Sequence, residues 1–278
     1  MKLSKLGKTA TLATLAIALA FGLSACSSKE QEGDKKSIKL GFMAGPYSDQ
    51  FKRSVQPVLE KKGYKVEVIE FSNAIQPNSS LTDKSIDANV FQHEGYLKSV
   101  NEKDKSDITE LIKVPTAPLG IYSNNAKSLD ELKDNAEISL PNDASNLARS
   151  LVLLEKAGLI KIKPDIDPLL ATEKDVTENP KNLKFVPLEA PQLPRSLADV
   201  DFSVITGNHV IAAGMKLSEA LLLEEPPAIY QIILAVRGED KDKPFAKDLV
   251  EAYQSDEFKT FIETDEASKG FSKPDYWK

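Results

Sequence analysis

Glu137-Ile138-Ser139-Leu140-Pro141-Asn142-Asp143-Ala144-Ser145-Asn146-Leu147-Ala148-Arg149 passes from a β-prone run through a polar turn into a helix. Asp143 or Ser145 supplies a side-chain oxygen for the unpaired N–H groups of the first turn. Leu147, Leu151 and Leu154 then recur at helical spacing, and Gly158 supplies a stop. A strand that feeds a capped, one-sided helix through a short turn is the building unit of an α/β fold.

The same rhythm extends in both directions. β-like runs at 38–43, 65–70, 88–91, 119–123, 183–186, 202–206 and 229–236 alternate with helix-like stretches near 49–62, 244–254 and 256–268, and with a turn-rich stretch near 76–85. The first three runs read as a βαβαβ unit, and the whole predicts a parallel sheet covered by helices on both faces. The charged stretches 101–107 and 238–243 read as solvated turns. Pro226-Pro227 either stiffens a crossing between lobes or forms a rigid loop. There is no internal sequence repeat.

Ahead of this region the chain reads as an export signal. Lys2, Lys5 and Lys8 precede an apolar run from 9 to 21, followed by Leu23-Ser24-Ala25-Cys26. The run is too short to span a bilayer as a mature helix, and the small residues before Cys26 suit cleavage there. Leu-Ser-Ala-Cys reads as a lipobox, so residues 1–25 are the expected signal peptide and Cys26 the lipidated residue. Residues 26–36, rich in Ser, Lys, Glu and Gly, form the expected tether. Acylation consumes the only cysteine, so an exported protein of this sequence has no disulfide and depends on its core for stability.

Composition narrows the function classes. The net charge of −6 becomes three units more negative once the leader lysines are lost, which argues against a nucleic-acid surface, and 41% apolar residues suffice to fill one large domain or two lobes. No G-x-S-x-G elbow, H-E-x-x-H pair or P-loop is present, and no cofactor site is expected. With two histidines and no free cysteine, a metal site is not expected either.

In an open α/β sheet, ligands bind beyond the carboxyl ends of the parallel strands. Gly45-Pro46-Tyr47, Gln92-His93, 142–146 and Gly207-Asn208-His209 all follow proposed strands. Arg149, in the first turns of its helix, would offer a ligand carboxylate a guanidinium fork close to the positive helix end, or would pair at the surface with Glu155 or Glu189. Phe91, Tyr96 and Tyr122 would line an apolar pocket or belong to the core. Asn146 and Asn208 would hydrogen-bond a ligand or cap a helix. His93 has the chemistry of a general base, a metal ligand, a pocket hydrogen-bonder or a structural residue.

Four blocks in order, DANVFQH at 87–93, PNDASN at 141–146, LLEKAGLI at 153–160 and EAPQLPRS at 189–196, resemble the NLPA family of bacterial lipoproteins, which includes methionine-binding proteins of ABC importers. The resemblance spans essentially the whole chain. It implies a two-lobed periplasmic-binding-protein type II fold with a ligand cleft between the lobes, here 37–118 with 231–278, and 119–230. It also implies a methionine-like amino acid, or a short methionine-containing peptide, delivered to an ABC permease without catalysis. Arg149 matches the family's arginine for the ligand carboxylate, and Phe91, His93, Tyr122, Asn146 and Asn208 occupy motif positions near the ligand. Gly95, Leu147-Ala148, Thr206 and His209 depart from the family's usual residues. The alternative carried by the same features is a surface or outer-membrane lipoprotein with a drifted pocket and an envelope role.

Overall fold

The computed structural model of the chain describes residues 36–277. The signal peptide, Cys26 and most of the tether lie outside the described residues. Within them, two five-stranded sheets share one plan.

In the first sheet, β1 (Ser37–Met43) lies between β2 (Lys65–Phe71) and β3 (Ala88–His93), parallel to both. β4 (Ile108–Lys113) forms the far edge. In the second, β6 (Glu137–Pro141) lies between β9 (Lys184–Leu188) and β10 (Phe202–Ile205), again parallel to both. β5 (Gly120–Tyr122) pairs with β10, and β11 (Leu222–Leu223) with β5. A short ribbon joins β7 (Lys161–Ile162) to β8 (Val176–Glu178), and β12 (Ile232–Arg237) returns to the first sheet between β3 and β4. The two sheets therefore repeat one topology although the sequence carries no repeat.

Neither sheet is wholly parallel, which corrects the expectation from the β/α alternation. β12 is antiparallel to β3 and to β4, and β5 is antiparallel to β10 and to β11. The cause is the route of the chain, which crosses between sheets after β4 and again after β11. Each strand that arrives from the other sheet enters against the direction of its neighbours.

The two crossings lie side by side. Val114 N–H donates to Ile232 O at 2.7 Å, Ile232 N–H to Thr116 Oγ1 at 2.7 Å, and Glu224 N–H to Leu119 O at 2.9 Å. Pro226-Pro227 falls in the second crossing, where fixed φ angles restrict an exposed connection.

Two larger clusters make up most of the core. One packs Phe42, Phe51, Leu59, Leu234, Leu249 and Phe258; the other packs Ile121, Ile138, Leu140, Leu151, Leu154 and Val204, all almost fully buried. The first of them also takes in Tyr122, Leu193, Ile205 and Val210 of the second lobe. Helix Ala144–Lys156 forms as its sequence dictates. Asp143 accepts the Asn146 N–H at 2.9 Å, Leu151 and Leu154 are buried, and Gly158 takes φ +73°, where a side chain would be strained.

Two other helices were hidden by composition. The turn-rich stretch near 76–85 contains helix Gln76–Thr82, entered through Asn73 Oδ1, which accepts the N–H groups of Ile75 and Gln76 at 3.1 Å each. Part of the charged stretch 101–107 completes helix Glu94–Asp104, which ends at the left-handed residue Lys105.

Candidate functional site

A cavity of about 840 Å³ opens where β1, β3 and β10 end and helix Ala144–Lys156 begins. Six of the seven nominated residues line it: Phe91, His93, Tyr96, Asn146, Arg149 and Asn208. Tyr122 does not. It is 1% exposed on the second sheet, in the core cluster that also holds Leu193, Ile205 and Val210, and its hydroxyl has no hydrogen-bond partner among the described residues. β5 is buried on both faces, with Ile121 in one core and Tyr122 in the other, so alternation along the strand could not show which face meets a ligand. Tyr122→Phe is expected to leave ligand affinity unchanged and to hold or raise stability, because it removes an unsatisfied buried hydroxyl. Urea denaturation and ligand titration check this, and a loss of affinity would return Tyr122 to the site.

The aromatic wall is built edge to face. Phe91 and Tyr96 stand 6.1 Å apart at 76°, His93 and Tyr96 6.4 Å at 81°, and His93 and Tyr230 5.1 Å at 84°. These are favourable geometries for rings that present a large apolar face at small entropic cost.

His93 ends β3 and caps helix Glu94–Asp104. Its Nδ1 accepts the Tyr96 N–H at 3.1 Å, which places the ring proton on Nε2, and Nε2 donates to Asn146 Oδ1 at 3.1 Å. Asn146 Nδ2 donates in turn to the Asp143 carboxylate at 3.1 Å. One polar chain thus runs from the first lobe to the second and fixes the orientation of the asparagine amide. Asn208 lines the same cavity, and its amide pairs with no protein group among the described residues.

Burial lowers His93 from an ordinary 6.5 to about 3, with the Arg149 charge adding to the effect and the Asn146 hydrogen bond opposing it. His209, also on the lining, is lowered by burial to about 4. The unfolded chain therefore takes up these protons first. Their stabilisation is complete above pH 6.5 and is lost as the pH falls toward about 3 for His93. His93 alone contributes a slope of up to about 1.4 kcal/mol per pH unit. His93→Gln should remove that share of the dependence of the urea midpoint between pH 6 and 5; parallel curves for wild type and variant would contradict the assignment.

Arg149 is 4% exposed and engages Glu224, not Glu155 or Glu189. Its Nε donates to Glu224 Oε2 at 2.9 Å and its Nη2 to Oε1, and its guanidinium lies 4.9 Å from the Tyr230 ring centroid. Glu155 instead accepts the Ile162 N–H at 2.8 Å, and Glu189 the Asn142 amide at 2.9 Å. Glu224 Oε1 also accepts the Leu119 N–H at 2.7 Å, so one carboxylate links Arg149 to both crossings. Glu224, Tyr230 and the charge of Asp143 escaped the sequence reading. The only local mark of Glu224 was its place just before Glu225-Pro226-Pro227, a pattern that reads as a loop.

Two α/β lobes joined by paired crossings, with a cavity walled by aromatic rings and holding a buried arginine near a helix start, define a substrate-binding protein of the periplasmic type II class. The NlpA lipoprotein family model matches residues 38–275, and the chain belongs to that family. It is 40% identical over 231 residues to the D-methionine-binding lipoprotein MetQ of Salmonella typhi, covering 82% of this chain and 85% of that one. A nutrient-binding protein from Burkholderia cenocepacia bound to methionine superposes with a TM-score of 0.78 at 43% identity, covering 82% of this chain and 95% of that chain. The methionine-binding protein MetQ superposes with a TM-score of 0.82 at 37% identity, covering 87% and 99%.

Proposed function

We propose that this lipoprotein captures a methionine-like amino acid, or a short methionine-containing peptide, in the cleft and delivers it to an ABC permease. The observation that carries the reading is the meeting, in one cavity, of the Phe91, His93 and Tyr96 rings with Arg149, groups suited to an apolar side chain and to a carboxylate. The methionine-binding relatives support the choice of ligand. Arg149 shares two donors with Glu224 and keeps three N–H groups for a ligand. Work is done by binding and lobe closure, without turnover.

Lipid at Cys26 holds the protein in the cell envelope, facing the periplasm or the exterior. Ser27 after the lipidated cysteine is compatible with outer-membrane sorting in a Gram-negative cell, and membrane fractionation distinguishes inner from outer membrane. The reading is tested by unfolding and refolding the purified protein to strip carried-over ligand, then screening amino acids and dipeptides by thermal shift. Ligand at about 100 times its Kd stabilises by about 2.7 kcal/mol, a shift of roughly 5–10 °C for a chain of this size. A shift with another solute alone would keep the receptor and change its cargo; none with any solute would leave an envelope role.

A further inference from the structure

The charges around the cavity do not favour an anion. Lys103 and Arg149 bring positive charge to the lining, and Asp143 and Glu189 bring negative charge. Glu224 adds a third carboxylate, closing a two-pronged pair on Arg149 with only 4% and 6% of the two side chains exposed. His93 and His209 are held neutral by burial and add nothing at neutral pH. Asp143 forms no ion pair with a lysine or arginine among the described residues, and its oxygens take only the backbone and side-chain N–H groups of Asn146. Burial raises its pKa, against the opposing hydrogen bonds from Asn146 and the charge of Arg149.

Resting on the reading of the cavity as an amino acid site, we infer that Glu224 sets the charge the site accepts: by neutralising Arg149 it selects ligands that carry an ammonium as well as a carboxylate, with Asp143 as the ammonium's partner. A zwitterion brings one charge of each sign, its carboxylate to the free edge of Arg149 and its ammonium to Asp143. A carboxylate without the ammonium faces Asp143, Glu189 and Glu224, against Lys103 and one guanidinium already shared. Because Glu224 and Arg149 are almost fully buried and little screened, that imbalance is a repulsive element directed against the wrong ligand.

Three ligands of similar shape and different charge test the inference on the full-length protein purified in detergent: L-methionine, its amide and 4-(methylthio)butanoate, each titrated by calorimetry. Wild type is expected to bind the butanoate about 100-fold more weakly than methionine, and more weakly than the amide. Glu224→Gln keeps an oxygen for the Leu119 N–H and for the guanidinium while removing the charge, and should narrow the methionine-to-butanoate ratio about tenfold or more. Asp143→Asn keeps the helix cap and should weaken methionine and the amide about tenfold while sparing the butanoate.

A purely structural Glu224 would weaken all three ligands alike, so a ratio within about twofold of wild type overturns the inference. If Glu224→Gln does not fold by circular dichroism, the wild-type series decides, and butanoate binding as tight as the amide's overturns it. A wild type that binds no methionine overturns the underlying reading and this inference with it. One that binds methionine with unchanged ratios in the variants overturns the inference alone.

Discussion

Arg149→Ala is expected to lower folding stability by about 3–5 kcal/mol and to weaken methionine binding at least 100-fold. The stability loss follows from what remains. Glu224, 6% exposed, would be left with the Leu119 N–H as its hydrogen-bond donor and no positive charge, and a buried carboxylate stripped of its partner is costly. The loss of binding follows from removal of the guanidinium on the cavity lining. The two effects separate in the double variant Arg149→Ala with Glu224→Gln, which should recover much of the stability and none of the affinity. Urea denaturation and calorimetry measure both; a stability change below about 1 kcal/mol would mean that water compensates the pair.

Gly207→Val should cost about 3 kcal/mol or more and weaken ligand binding at least tenfold. A Cβ at Gly207 would lie 2.5 Å from the Pro118 carbonyl oxygen and 2.7 Å from the Ala117 Cβ, in the first crossing. Backbone cannot yield as a flexible side chain does, so helix Gly207–Ala212 must shift away from the crossing. That shift carries Thr206 and Asn208, both on the cavity lining. The clash rather than backbone torsion is the cause, because this glycine does not take a positive φ. Denaturant midpoints and ligand titration of the variant check the expectation, and an unchanged midpoint would show that the crossing gives way at little cost.

Helix Ala144–Lys156 was legible in the sequence to its caps, because Asp143, the leucine spacing and Gly158 act within a few residues of one another. Most strands of the two sheets were legible for the same reason. Strand direction was not, since β5 and β12 take theirs from the crossings and from strands far along the chain. β4 was overlooked beside a charged stretch, and β11, two residues long, carries almost no local pattern.

The site divides in the same way. The cavity edge was legible because polar residues follow the proposed strands, and the four motif blocks led to the family. The partner of Arg149 was not, because Glu224 lies 75 residues away and is brought in by the second crossing. Tyr122 stays between pocket and core in the sequence, because a strand buried on both faces gives an aromatic residue two destinations. His93 was left with four roles by its chemistry, and the structure gives it hydrogen bonds to Tyr96 and Asn146 and a ring kept neutral.

Whether the aromatic cleft lined by Arg149 takes a methionine-like amino acid is decided by calorimetric titration of the refolded, ligand-stripped protein with L-methionine. Wild type is expected to give a saturable one-to-one isotherm that disappears in Arg149→Ala. An absence of heat in wild type together with no thermal stabilisation, or an isotherm that Arg149→Ala leaves unchanged, would contradict it.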